Sequence, residues 1–259
     1  MERKYLFGAE LYNITQIPEH KLEAEYFLGS LSASSCSLTQ LSLSKLKYIS
    51  PYALYQCSGI TEVNLPEAII IPQYAFAFCP NISSLNISKV EEIGEYAFQR
   101  CYGLTELNLT DVKSIGTYAF SQCHSLNTVR MNTIYSIGAY AFYSCTQLKS
   151  ITLNGINNVG TYAFAYCYSL SEVIINPRNY ANLGDRAFLE CSELKKVTIN
   201  LPEKGLTNNN NRQPFAGCYY IEDFTLNGSN LGFSLSFLLG GTSISSFYAN
   251  DIVSSDNAY

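Results

Sequence analysis

The stretch "CYGLTELNLTDVKSIGTYAFSQC" (101–123) carries two different periodicities, and together they decide the fold. From Ile115 to Cys123, apolar residues recur at spacings of 4, which predicts a short helical arm with one buried stripe. Later in the same unit, which runs from Ile115 to Met131, Val129 and Met131 alternate with polar residues, as in a strand with one buried face. Each unit is therefore predicted to consist of a short helical arm and a short strand.

The same unit recurs through almost the whole chain of 259 residues, at spacings that range from 21 to 27 and are mostly 22. Every cysteine of the chain occupies one position of this unit: Cys36, Cys57, Cys79, Cys101, Cys123, Cys145, Cys167, Cys191 and Cys218. A tenth copy has Gly241 at that position. One unit cannot bury its own apolar stripe, but stacked units can. The repeat predicts an α/β solenoid of about ten units, with strands about 4.8 Å apart in a parallel sheet on the concave face.

A glycine stands at the entrance of most arms, as Gly116 and Gly138 show. At this point the chain turns, and a residue without a Cβ tolerates unusual backbone dihedrals. We therefore expect these glycines to be required for their conformation.

The consensus I-G-x-Y-A-F-x-x-C-x-x-L-x-x-L-x-L resembles the BspA-like, or treponemal-type, leucine-rich repeats over residues 28–250. This resemblance implies an α/β leucine-rich-repeat solenoid. It also implies a non-enzymatic recognition module, at a microbial cell surface or secreted, that adheres to a protein or glycoprotein ligand.

Three segments are predicted along the chain. Residues 1–27 form an N-terminal cap, in which a helix over 19–29 is ended by Gly29. Residues 28–250 form the solenoid, in which the asparagine run 208–211 is a surface loop. Residues 251–259 form a tail. A C-terminal edge strand left exposed would invite end-to-end self-association.

Composition excludes several classes of partner. The net charge is −5 and the pI is near 5.1, which argues against a nucleic-acid ligand. No run of 18 apolar residues exists, so membrane insertion is not expected. The N-terminal residues contain no apolar core of a signal peptide, which leaves an intracellular protein–protein interaction scaffold of the same fold as the alternative.

The nine cysteines are predicted to form a buried ladder of free thiols, because cysteine packs as a small apolar residue. No C-x-x-C pair occurs, so neither a metal site nor a cofactor is expected. Thiols that all remain reduced would favour the intracellular alternative.

No catalytic constellation stands out in the sequence, and we predict that the chain is not an enzyme. Cys123 precedes His124, but sequence neighbours seldom form a catalytic dyad, and Cys123 is expected to be buried. A second column of the repeat consists of tyrosines, which we expect to pack between arms, with ligand binding as the alternative: Tyr52, Tyr74, Tyr96, Tyr118, Tyr140 and Tyr162.

The outward positions of the strands are the candidate binding residues, because solenoids commonly bind on the extended surface that their strands form. Stacked asparagines on this face would also form a hydrogen-bonded ladder with no ligand at all. The candidate residues are Glu62, Asn64, Asn86, Glu106, Asn108, Thr128, Arg130, Ser150, Thr152, Glu172 and Lys196.

Overall fold

The structure is a computed structural model that describes residues 4–31, 36–201, 213–228, 238 and 240–250. The chain winds into a solenoid of stacked turns, and equivalent residues of neighbouring turns lie about one repeat apart in sequence. The strands, in chain order, are β1 (Tyr5–Phe7), β2 (Tyr26–Leu28), β3 (Gln40–Ser42), β4 (Tyr48–Ile49), β5 (Glu62–Asn64), β6 (Ile70–Ile71), β7 (Ser84–Asn86), β8 (Glu92–Ile93), β9 (Glu106–Asn108), β10 (Ser114–Ile115), β11 (Thr128–Arg130), β12 (Ser136–Ile137), β13 (Ser150–Val159), β14 (Glu172–Leu183), β15 (Lys196–Asn200), β16 (Asp223–Asn227) and β17 (Phe247–Asn250).

By their position in the repeat these strands fall into two parallel ribbons, and hydrogen bonds join them into four sheets. The first ribbon contains β3, β5, β7, β9 and β11, then the first parts of β13 and β14, then β15, β16 and β17. The second ribbon contains β1, β2, β4, β6, β8, β10 and β12, then the last parts of β13 and β14. The predicted parallel solenoid is confirmed, but the sequence predicted only the first ribbon.

The core lies between the ribbons and the arms. Each short strand of the first ribbon turns its middle residue inward, as Leu41 and Leu107 show. The arms contribute a column of stacked phenylalanine rings, and in its middle Phe98, Phe120 and Phe142 are fully buried with ring centroids 5.3 Å apart. Because each ring packs on the equivalent ring of the next turn, one turn has no closed core of its own.

The arms are successive turns, and the expectation that they are helical is wrong. Between residues 5 and 201, the described helices are the 3-10 helices Gly8–Leu11 and Glu19–Lys21. In a typical arm, Tyr118 (φ 56°) and Gln122 (φ 62°) have left-handed backbone conformations, which interrupt a right-handed helix. The N–H of Tyr118 donates to the carbonyl of Ala139 in the next turn at 2.9 Å. Hydrogen bonds between turns thus replace those of a helix.

The glycines at the arm entrances are needed for close approach of the backbones and not for an unusual dihedral. Their φ angles lie outside the left-handed region. A Cβ built on Gly138 would lie 2.5 Å from the nitrogen of Thr117, and one on Gly160 would lie 2.4 Å from the nitrogen of Ala139. A side chain at these positions would push neighbouring turns apart.

The N-terminal segment lacks the helix predicted over 19–29. It contains the short 3-10 helix that ends at Lys21, followed by β2, which pairs with β1 on one side and β4 on the other. Buried Lys21 donates to the carbonyl of Tyr5 (2.9 Å) and pairs with Glu10 (3.0 Å), which fixes β1. The segment therefore continues the second ribbon, while the boundaries 1–27 and 28–250 remain predictions. The loop predicted at 208–211 and the tail 251–259 lie outside the described residues.

The cysteine ladder is confirmed for seven of the nine residues. These seven, from Cys79 to Cys218, are free and buried. Each thiol donates to a carbonyl of the preceding turn, as Cys123 does to Phe98 at 3.3 Å. Burial raises the pKa of Cys123 and of Cys167 to about 12.

The prediction of nine free thiols is wrong for the first two, because Cys36 and Cys57 form a disulfide. Their Cα atoms are 5.3 Å apart, within the ordinary range for a disulfide. The disulfide links the first full turn covalently to the second.

Candidate recognition face

The first ribbon positions the candidate binding residues because its strands alternate between core and solvent. Its register is regular: Glu106 pairs with Thr128, and Asn108 with Arg130, around the inward pair of Leu107 and Val129. All the outward residues predicted from Glu62 to Lys196 lie on this one face. We call this surface the recognition face.

The N-terminal part of the recognition face is an amide ladder. The Nδ2 of Asn64 donates to the Oγ of Ser42 at 3.0 Å, and the Nδ2 of Asn86 donates to the Oδ1 of Asn64 at 2.8 Å. The hydrogen-bonded ladder considered as the structural alternative is therefore present at these positions. Each amide in it also keeps hydrogen-bonding capacity toward solvent, so the ladder does not exclude a ligand.

Four of the five charged candidate residues of the recognition face pair with each other along the ribbon. Arg130 Nη1 lies 3.0 Å from Glu106 Oε2, and Lys196 Nζ lies 3.2 Å from Glu172 Oε1. The side chains of Arg130 and Glu106 are 61% and 60% exposed, so this pair contributes little to stability. Apart from the position of Glu62, the candidate residues of the face are therefore polar and locally neutral, with hydrogen bonding as their main chemistry.

A second amide ladder, which the sequence reasoning missed, borders the recognition face in the C-terminal half. Its hydrogen bonds link each amide to the equivalent one of the preceding turn at 2.5 to 2.8 Å. Its members are Asn154, Asn176, Asn200, Asn227 and Asn250. The signal was visible, since the strand segments "SITLN", "EVIIN", "KVTIN" and "DFTLN" all end on asparagine.

The tyrosine column packs between neighbouring arms, as expected. Its rings are nearly parallel, and the centroids of Tyr118 and Tyr140 are 4.6 Å apart at an interplanar angle of 4°. Burial raises the pKa of both phenols, and neighbouring tyrosines add to the effect. Because each ring covers the face of the next, an aromatic platform for a ligand is absent along this part of the column.

The geometry around His124 does not form a catalytic dyad. The ring of His124 stacks on Tyr102 at 5.4 Å, and its Nδ1 lies 2.9 Å from the carbonyl oxygen of Ser144. The neighbouring Cys123 is buried and bonds to a backbone carbonyl. Within the described part of the chain, no group of three or more His, Cys, Asp or Glu side chains is arranged to hold a metal ion. Nor do those residues include a helix of the length and apolarity that crossing a membrane requires.

Stacked turns with two ribbons of parallel strands, connected by arms that consist of turns, define the chain as a leucine-rich-repeat solenoid. The family model for the BspA type leucine-rich repeat region, of six copies, matches residues 28–133 and 113–237. The chain therefore belongs to the BspA-type leucine-rich repeat family, a repeat class of interaction scaffolds, and no enzyme family is indicated. A search of functionally curated proteins found no significant match.

One solved structure shares this fold at low sequence identity, and two others align with the chain at lower TM-scores. A leucine-rich repeat protein from Bacteroides ovatus is 21% identical with a TM-score of 0.56, over 89% of this chain and 69% of that one. A leucine rich cell surface protein from Faecalibacterium prausnitzii is 18% identical with a TM-score of 0.35, over 90% of this chain and 80% of that one. The pneumococcal vaccine antigen PcpA is 17% identical with a TM-score of 0.37, over 90% and 69%.

Proposed function

We propose that the chain is a non-enzymatic recognition module that binds a protein or glycoprotein ligand through the recognition face. The observation that supports this is the variety of the outward residues. The arm columns repeat tyrosine, phenylalanine and cysteine in turn after turn, whereas the outward column changes from Asn108 to Arg130, Thr152 and Ile174. Folding of the stack requires the repeated residues but does not require this change.

We further propose that the module works at a microbial cell surface or after secretion, as the resemblance to BspA-like proteins implies. The Cys36–Cys57 disulfide supports this location, because structural disulfides persist in oxidising compartments. The free thiols from Cys79 to Cys218 do not argue against it, since they are buried and protected from oxidants.

The location is tested by protease treatment of intact native cells, with the released peptides identified by mass spectrometry. Peptides of this chain released before lysis support the surface location. Release only after lysis would contradict it and would support the intracellular scaffold.

The recognition face is tested by screening immobilised matrix proteins and glycans for binding. A charge-reversed variant, with Glu62→Lys, Glu106→Lys and Arg130→Glu, is expected to lose binding because its hydrogen-bonding and charge pattern is altered. The matched control is Tyr118→Ser with Tyr140→Ser on the arm side, which is expected to bind normally after its fold has been checked by circular dichroism. Loss of binding in the arm variant alone would contradict the face assignment.

A further inference from the structure

The N-terminal part of the second ribbon exposes an apolar column that neither the core nor the recognition face uses. Tyr5, Tyr48 and Ile70 occupy equivalent positions on three of four successive turns, and they are 39%, 49% and 41% exposed. Tyr26 lies between Tyr5 and Tyr48, with ring centroids 5.2 and 5.3 Å away. In the next turn the same position is Glu92, so the apolar part of the column spans only four turns. We call the strand that each turn contributes to this surface a rung.

Charged residues precede the apolar column on the same rungs. Backbone hydrogen bonds set their alignment, with the N–H of Glu25 donating to Lys4 and that of Lys47 to Glu25, both at 2.9 Å. Ile69 follows Lys47 at the same position of the next turn.

A parallel charged column stands two residues earlier. Glu23, Lys45 and Glu67 each precede a fully buried residue at the same corner of successive turns. We call the complete surface the N-terminal strip; it comprises Lys4, Tyr5, Glu23, Glu25, Tyr26, Lys45, Lys47, Tyr48, Glu67, Ile69 and Ile70.

The two central rungs of the N-terminal strip carry opposite charges. Glu23 and Glu25 lie on one rung, and Lys45 and Lys47 occupy the equivalent positions of the next rung. When the order of these two rungs is reversed, each carboxylate position meets an ammonium position of the same column. The centre of the strip is thus the electrostatic complement of its own reversal.

We propose that the N-terminal strip binds a second copy of this chain, face to face and antiparallel, about a two-fold axis that passes between the Tyr26 and Tyr48 rungs. A two-fold axis parallel to the strands keeps each column opposite itself and reverses the order of the rungs. Tyr26 of one copy then packs on Tyr48 of the other, and Tyr5 packs on Ile70. Glu25 meets Lys47 of the second copy, while Glu23 meets its Lys45.

Two alternatives explain less of the strip. A parallel pairing would place every rung against the same rung of the second copy, so that like charges would face each other. Ion pairs within the chain, such as Lys4–Glu25 (3.0 Å) and Lys47–Glu25 (3.4 Å), account for the alternating signs. They do not account for the exposed apolar column beside them, which an antiparallel copy covers.

The size of the strip sets the strength of the dimer. Four rungs span three strand spacings of about 4.8 Å, or about 14 Å between the first and the last. A strip of this length covers less area than the roughly 800 Å² per partner that a stable interface buries, so the dimer is concentration-dependent. Because exposed charges are screened within about 10 Å at 0.1 M salt, it also weakens as salt is added.

The test is sedimentation velocity of the full chain over a range of concentrations, with two charge-reversed variants. K45E/K47E makes both central rungs negative, and E23K/E25K makes both positive. Each variant alone is expected to be monomeric, since like charges now face each other across the two-fold axis. An equimolar mixture is expected to form heterodimers, because every reversed rung then meets its complement.

The matched control K195E/K196E makes the same charge change on the first ribbon and is expected to dimerise like the wild-type chain. The proposal is overturned if the wild-type chain is monomeric at every concentration. It is also overturned if the two folded variants fail to associate on mixing, or if association grows beyond a dimer as end-to-end stacking would require.

Discussion

The buried columns of the solenoid and the recognition face differ in how closely the residues of one turn resemble the equivalent residues of the next. Phe98, Phe120 and Phe142 occupy one buried position with almost the same ring spacing, whereas Asn108 and Arg130 occupy one exposed position with different chemistry. The buried position must fit its own copy above and below, whereas the exposed position need not. The variation of the recognition face therefore marks where selection other than folding can act.

The largest effect is expected from deprotonating the buried thiols. Burial raises the pKa of Cys123 and Cys167 to about 12, whereas thiols of the unfolded chain ionise near pH 9. Above pH 9 the unfolded state releases protons that the folded state retains, so stability falls as the pH rises. Each such thiol adds up to about 1.4 kcal/mol per pH unit to that loss, so the free energy of unfolding should decrease progressively as the pH rises above 9.

Urea titrations between pH 7 and 10.5 check this prediction by the slope of unfolding free energy against pH. The double variant Cys123→Ala, Cys167→Ala should show a shallower slope, because two titrating groups are missing. Buried tyrosines titrate in the same direction in both proteins and therefore cancel in the difference. Equal slopes for the variant and the wild-type chain would contradict the role assigned to the thiols.

Removing one ring from the phenylalanine column is expected to produce the next largest effect. Phe120→Ala leaves a cavity between Phe98 and Phe142, and deleting a buried aromatic ring costs about 3 to 5 kcal/mol. Chemical denaturation followed by circular dichroism measures the loss. On the outside, Arg130→Ala should change stability by no more than about 0.5 kcal/mol. Comparable losses for the two variants would break the distinction between buried and exposed columns.

The repeat could be predicted from the sequence because the same residue type recurs at each buried position of the unit. Spacing alone placed Cys79 to Cys218 in one ladder and put the outward residues of the strands on one face. The arms were misread because a spacing of 4 also fits a chain of turns when the contacts lie between units. Left-handed tyrosines such as Tyr118 are stabilised by hydrogen bonds to the next turn, which no local pattern reveals.

Features that depend on where side chains lie within a turn could not be predicted from the sequence either. The Cys36–Cys57 disulfide looks like any other neighbouring pair in the ladder until their approach is known. The second ribbon contributes only two residues in most turns, such as Ser136 and Ile137, which is too short for a strand pattern. The N-terminal strip becomes apparent only when equivalent residues of successive turns are placed side by side.

A methyl group added at an arm entrance is expected to lower the stability of the fold by an intermediate amount. Gly138→Ala places a Cβ 2.5 Å from the nitrogen of Thr117, and both backbones must shift. Replacing glycine with alanine stabilises a compatible site, but forced overpacking costs about 1 to 3 kcal/mol. Thermal and urea unfolding measure the change, and Ser136→Ala on the same rung is the control that should stay within about 0.5 kcal/mol. A Gly138→Ala variant as stable as the wild-type chain would show that turns can separate without loss.

The smallest effect is expected on the recognition face itself. Asn86→Ala removes the 2.8 Å hydrogen bond to Asn64, but both amides can bond to water instead, so stability should fall by less than about 1 kcal/mol. Asn108→Ala, one rung further along, is the matched comparison, and urea unfolding measures both. If Asn86→Ala costs as much as Phe120→Ala, the amide ladder is a structural element, and the N-terminal part of the face is constrained by folding. If both substitutions are nearly neutral, the asparagines are not needed for the fold, which leaves recognition to explain why amides occupy successive rungs.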